Sequence, residues 1–305
     1  MTMRRPLTLL LALSALFASM PTPSFAQGAE NAQRESVLAV LRTPQRGTMV
    51  DLVRERGAAL TDLSFDALPL ASEYLADDEL GDDAAYALLG AQETRGLSLI
   101  FASIPASGLN IQRIAFTWYL DRYDRMSPAT AGEARLAALR ALDPIRSTAN
   151  AEAALYILGL TGSTADFSVL EFHAVNLRTG SRGMREASQA ALVRLGSVPH
   201  LERVRAELSR PLVANATYQQ GVALTQALQR AAFSGRQELI AAVCIHVEDP
   251  PLREIDIRVE PGRIAQLALN AIVDRVSVTH LSNGTRTAAE WRAYCAAAPP
   301  RTPAP

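Results

Sequence analysis

One pattern occurs twice between Glu152 and Leu208, and it limits what this chain can fold into more than any other feature. The first copy reads AEAALYILGLTGSTADFSVLEFHAVNL and the second REASQAALVRLGSVPHLERVRAEL. Each holds an Ala/Leu-rich helix closing on Leu-Gly, a short polar turn, and a second amphipathic helix. The closings are Leu158-Gly159 and Leu195-Gly196, so the period from Gly159 to Gly196 is 37 residues. Self-similarity at such a period marks a repeat array, because one helix pair cannot cover its own apolar face and must stack on neighbours. Phe167, Leu170, Ala174 and Leu177 fall at intervals of three and four, as do Leu201, Val204 and Leu208, which is helical spacing. The glycine is expected to end the first helix in the left-handed conformation. Pro199 suits the first turn of the helix that follows.

The pattern extends in both directions. Asp82 opens a unit whose Leu89-Gly90 is the first anchor, followed by a helix from Leu97 to Ile104 before Pro105. Ile111 to Tyr123 and Glu133 to Leu142 form the next pair, with Leu120-Asp121 in the anchor position. Ala232 lies 36 residues after Gly196, with Ser234-Gly235 as the turn before a helix from Gln237 to Val247. Upstream, residues 27–81 read as an irregular helical cap. It has helices over Glu35 to Leu41, Thr48 to Arg56 with Gly57 past its end, and Ser64 to Leu75.

The periodicity breaks at HVEDPPLREIDIRVEPGR, His246 to Arg263, where Pro250-Pro251 rules out a continuing helix. Glu254 to Glu260 alternates strictly, which predicts a strand with Ile255, Ile257 and Val259 on one face. Val276 to His280 is its expected partner in a small β insertion over residues 248–262. Helices resume over Ile264 to Val273 and Thr287 to Ala297. Residues 299–305 are proline-rich and are expected to be a disordered tail.

AALYILGLTG and AALVRLGSVPHLERVRAEL resemble HEAT-type repeats, in particular the short bacterial HEAT-like kind recognised in phycobilin lyases. The likeness covers roughly Asp82 to Val247. Tetratricopeptide repeats place Leu-Gly inside the helix between a Trp and a Tyr; here neither aromatic is present, and Leu-Gly is read as the helix end. The resemblance implies an all-α, right-handed α-α superhelix, a HEAT-like solenoid spanning 82–298 with the possibly β-containing insertion near 250–260. It also implies a binding surface lined by the second helices. The polar positions there are Glu171, His173 and Arg178, then Arg203 and Glu207, then Gln237 and His246.

Residues 1–26 read as a signal peptide. Arg4 and Arg5 precede the uncharged run Leu7 to Ala18, and Ser24-Phe25-Ala26 is a small-x-small cleavage site. The expected address is therefore the periplasm or the exterior. The run is too short for a comfortable span, and no other stretch reaches the ~20 apolar residues that spanning requires. All 30 basic residues are arginine, which excludes Schiff-base, Walker and general-base lysines. Without Arg4 and Arg5, 28 basic residues face 31 acidic ones, a net charge of −3 that offers no global basic field to nucleic acid.

Candidate chemistry is sparse. Acids flank His173, His200 and His246, but no H-E-x-x-H or second histidine at helical spacing accompanies them. These read as ordinary histidines, with no metal or other cofactor implied. There is no G-x-S-x-G, and Gly180-Ser181-Arg182-Gly183 has the wrong spacing for a nucleophile elbow. The aromatic–arginine group of Phe116, Trp118, Tyr119, Tyr123, Arg113, Arg122 and Arg125 matches hot-spot composition, yet it reads first as a buried helix face of Ile111, Ile114, Ala115 and Trp118. Cys244 and Cys295, 51 residues apart, are expected on adjacent second helices and thus as a disulfide. The expectation is an exported, non-catalytic scaffold or protein-binding module of the cell envelope. An enzyme on the same scaffold, lyase-like or metal-dependent, and a purely structural envelope protein are the alternatives.

Overall fold

The computed structural model describes residues 25–44, 47–104, 107–175, 181–213, 215–254, 257–274 and 286–297. Among them are fifteen α-helices and one two-stranded sheet. In chain order the elements are α1 (Phe25–Leu41), α2 (Met49–Thr61), α3 (Leu68–Glu73), α4 (Gly81–Ala91), α5 (Glu93–Ser103), α6 (Leu109–Arg122), α7 (Pro128–Ala141) and α8 (Thr148–Thr161). They continue with α9 (Phe167–Val175), α10 (Arg182–Arg194), α11 (Val198–Leu208), α12 (Tyr218–Ser234), α13 (Ile240–Cys244), β1 (Leu252–Glu254), β2 (Ile257–Val259), α14 (Pro261–Ile272) and α15 (Ala288–Ala297). The chain is therefore all-α with a small β element, and no helix among the described residues is long and apolar enough to cross a membrane.

The contacts follow one rule. The even-numbered helices form a continuous row, α2 on α4, α4 on α6, and so on through α14. Each odd-numbered helix from α1 to α13 packs on the even-numbered helix that follows it. The even row is thus covered on several sides, which its composition requires. In α8, Ala151, Ala154, Leu155, Ile157, Leu158 and Gly159 are all buried, so this helix has no wet stripe of ordinary width.

Local signals set the helix starts. Thr48, Ser127, Ser147, Ser181 and Thr217 each accept a first-turn N–H as N-caps. Pro128 and Pro199 occupy first turns, where the missing donor is no loss.

The anchor glycines divide into two kinds. Gly196 (φ 93°) and Gly235 (φ 62°) have the expected left-handed backbone past a helix end. Gly159 and Gly90 lie inside the last turns of α8 and α4 and serve close approach instead. A Cβ on Gly159 would stand 2.8 Å from Ala191 Cβ and from a ring carbon of Phe233. A Cβ on Gly90 would stand 1.9 Å from the Val53 carbonyl oxygen. Gly57, expected just beyond its helix, is likewise interior to α2: its Cβ would fall 2.1 Å from the Gly90 carbonyl carbon. The backbones of α2 and α4 meet there, and only glycine on both sides allows it. The glycine position therefore does not by itself separate this chain from a tetratricopeptide array.

Other expectations are corrected in detail. The first helix begins at Phe25, well before Glu35. Strict alternation over Glu254 to Glu260 does not give one strand: β1 and β2 pair antiparallel within the same stretch, Leu252 opposite Val259 and Glu254 opposite Ile257. The hairpin docks on α12, where a Cβ on Gly221 would meet Leu252 Cδ1 at 2.6 Å and Val259 Cγ2 at 3.0 Å. Ile257 is exposed although alternation puts it on the same face as Val259. Val276 to His280, the expected partner strand, lies outside the described residues.

In α6, Phe116 and Tyr119 are buried with Phe101, their rings 6.3 and 6.0 Å from it, while Trp118 is only half-buried. Trp118 donates from Nε1 to Glu93 at 2.7 Å, and Arg122 lies over its ring at 3.9 Å. Cys244 on α13 and Cys295 on α15 are at disulfide distance, S–S 2.08 Å and Cα–Cα 5.5 Å.

Candidate functional site

The second helices that the resemblance singles out are held by polar anchors at their ends. Ser163 and Asp166 form a capping box on the turn into α9, and Arg135 of α7 reaches Asp166 through Nε at 3.0 Å and Nη2 at 2.5 Å. Burial alone would raise the Asp166 carboxyl, but Arg135 and the Ser163 N–H overcome it and hold the group below the usual carboxylate range. Arg230 of α12 bridges Glu186 of α10 and Glu207 of α11, so one buried guanidinium ties three helices. These contacts fix α9 and α11 in place, the second of them through Glu207 of the expected face.

Glu171 is half-exposed, and its Oε1 lies 3.5 Å from His200 Nδ1, which also hydrogen-bonds Ser197 Oγ at 3.0 Å. Arg203 is exposed one turn from His200 and opposes its protonation. Glu171, His200 and Arg203 therefore form one polar cluster. Burial drives the His200 and His173 rings below 6.5, so both are neutral at neutral pH. His173 Nδ1 and His200 Nε2 are buried without a hydrogen-bond partner.

The remaining expected residues are placed differently. Glu207 is engaged with Arg230. Gln237 is exposed before α13, and no hydrogen bond or ion pair joins it to the cluster among the described residues. His246 is fully buried, with Nε2 donating to the Leu208 carbonyl at 2.6 Å and Nδ1 2.6 Å from Asp249 Oδ2, so it ties the end of α11 to the turn after α13. Arg178 lies outside the described residues. No group of three His, Cys, Asp or Glu side chains able to hold a metal occurs among the described residues.

Sequence reasoning missed the apolar component. Phe172 is 56% exposed, Val175 and Val198 each 65%, and Leu136 of α7 is 50% exposed. Phe172 stands over an open groove of about 960 Å³ between α9 and the turn after α7, lined also by Leu139, Leu142, Ile145, Val169 and His173. The signal was available in the spacing. Phe172 and Val175 fall off the stripe of Phe167, Leu170 and Ala174 that packs inward, so a helix burying that stripe must leave them outside.

Comparison of the chain with protein-family models, with curated proteins and with solved structures finds no match.

Proposed function

We propose that the chain is a HEAT-like solenoid that acts as an exported, non-catalytic protein-binding module of the cell envelope, and that α9 and α11 carry its partner face. The reading of the fold is supported by the packing rule: a continuous even-numbered row, with each odd-numbered helix seated on the next even one, is what stacked helix pairs produce. Export is supported by the Arg4-Arg5 start, the apolar run and the small-x-small site.

One observation carries the binding function. An exposed phenyl ring, Phe172, stands beside a large groove, with Glu171 and exposed Val175 next to it on α9 and exposed Val198 and Arg203 on α11. An aromatic anchor surrounded by polar side chains is the composition of an interface centre. A partner would seat an apolar side chain in the groove and pair charged groups with Glu171 and Arg203.

The test is capture from envelope extract on the immobilised chain, repeated with Phe172→Asp and with the charge reversals Glu171→Arg and Arg203→Glu. A partner retained by the wild type and lost from F172D supports the proposal. Identical retention by all variants, or nothing above background on the wild type, overturns it.

A further inference from the structure

The turn between α7 and α8 also walls a smaller cavity, of about 260 Å³, which faces the start of α6. Four features converge on it. Ser107 is only 5% exposed, and its Oγ has no hydrogen-bond partner. A buried hydroxyl is not left unpaired without cost, so it points to a group that comes to it. Gly108, the N-cap of α6, supplies no side chain to the first-turn N–H groups, and a Cβ there would meet nothing within 4 Å. The orphan N–H groups of a 14-residue helix, with the positive end of its dipole, therefore open on the cavity. Gln112, one turn further on, accepts from Asn150 Nδ2 at 2.7 Å through Oε1, so its amide nitrogen is the end that remains to donate. Arg140 and Arg146 also line it, both exposed and neither in an ion pair or side-chain hydrogen bond among the described residues.

We propose that this cavity binds a phosphate-sized oxyanion, with Ser107, Gln112 and the α6 N-terminus at its base and Arg140 and Arg146 closing on it from the rim. Ser107, Gln112, the α6 N-terminus and the two arginines supply donors, which suits a ligand that only accepts, against the Asp143 carboxylate and the carbonyl end of α7 at Ala141. Two guanidinium groups and a helix N-terminus favour a doubly charged tetrahedral anion over a carboxylate. A volume near 260 Å³ is below the roughly 300–1,000 Å³ of sites for drug-sized ligands, so the buried part of the ligand is small. Asp143 is the only carboxylate in the lining and carries no ion pair. With two arginines against one aspartate the lining is net +1, and Asp143 weakens anion binding. The inference does not depend on the partner face of α9 and α11.

Calorimetric titration of the full chain with inorganic phosphate at low salt tests it. The expected result is saturable one-to-one binding, weakened about tenfold by Arg140→Gln and by Arg146→Gln, tightened by Asp143→Asn, and unchanged in Arg210→Gln, an exposed arginine elsewhere. Ser107→Ala is expected to weaken binding while circular dichroism stays that of the wild type. Titration with glycerol 3-phosphate separates the two sources of the anion. Tighter binding than inorganic phosphate assigns the cavity to the phosphoryl group of a larger ligand, and weaker binding to the free ion. The absence of saturable heat up to about 10 mM phosphate, or equal affinity in the R140Q/R146Q double variant, overturns the proposal.

Discussion

At the scale of single residues, the glycines separate two physical roles that look alike in the sequence. Gly90 lets the backbones of α2 and α4 touch, so Gly90→Ala forces the helices apart and is expected to cost about 2–3 kcal/mol or more in urea unfolding. Gly132, exposed in α7 with open space around its Cα, is the contrasting case. Gly132→Ala is expected to add about 0.5–1 kcal/mol, because alanine loses less backbone freedom in a helix. Equal effects from the two would contradict the close approach at α2 and α4.

The buried histidines give a second prediction. Burial holds His173 and His200 in the neutral form in the folded chain, whereas unfolded rings take up protons near 6.5. The unfolded state then binds more protons as pH falls through 6.5, so this stability is fully present above that value and is lost below it. Urea midpoints should fall between about pH 7.5 and pH 5.5, with a flatter dependence in the H173Q/H200Q double variant. Neither the burial of these rings nor that of His246 was legible in the sequence. A histidine's exposure depends on which neighbouring helix lies over it, and spacing within one helix does not specify that.

At the scale of elements, the helices were largely readable and their ends less so. Caps such as Ser127, Ser147 and Thr217 and the first-turn prolines are local chemistry, so they mark starts in the sequence itself. The hairpin was misread because alternation over Glu254 to Glu260 fits one long strand and two short ones equally well. The choice fell to the docking of Leu252 and Val259 against Gly221. The pairing of Cys244 with Cys295 rested on placing both on second helices, and α13 and α15 do lie in contact. A bond closing a 51-residue separation limits the unfolded chain, so the C244S/C295S variant is expected to lose on the order of 4 kcal/mol, read as the shift in urea stability under non-reducing conditions. Two titratable thiols in the unreduced, denatured wild type would show that the bond is absent.

At the scale of the whole molecule, the buried side chains form two clusters, one from Val37 to Leu192 and one from Val193 to Trp291. The division runs through α10, where the adjacent Leu192 and Val193 belong to different clusters. With the core divided in this way, unfolding need not be a single step. In Trp118→Phe the only remaining indole is Trp291, which is fully buried in the second cluster and donates from Nε1 to Asn270 at 3.1 Å. Its fluorescence transition in urea is expected at a different midpoint from the far-UV circular dichroism transition, and reduction of the disulfide should move the fluorescence transition more. Coincident transitions before and after reduction would show one cooperative core.

The sequence by itself determined that the chain is helical, roughly where each helix begins, and that helices must stack, because apolar spacing and caps act within a few residues. The tertiary structure alone decided which glycines are caps and which are contact points. It also decided that Phe172 stays outside while His173 turns in, and that unpaired donors from α6, α7 and the turn after it gather round one cavity. Those outcomes depend on distances between residues far apart in the chain, and no local pattern encodes them.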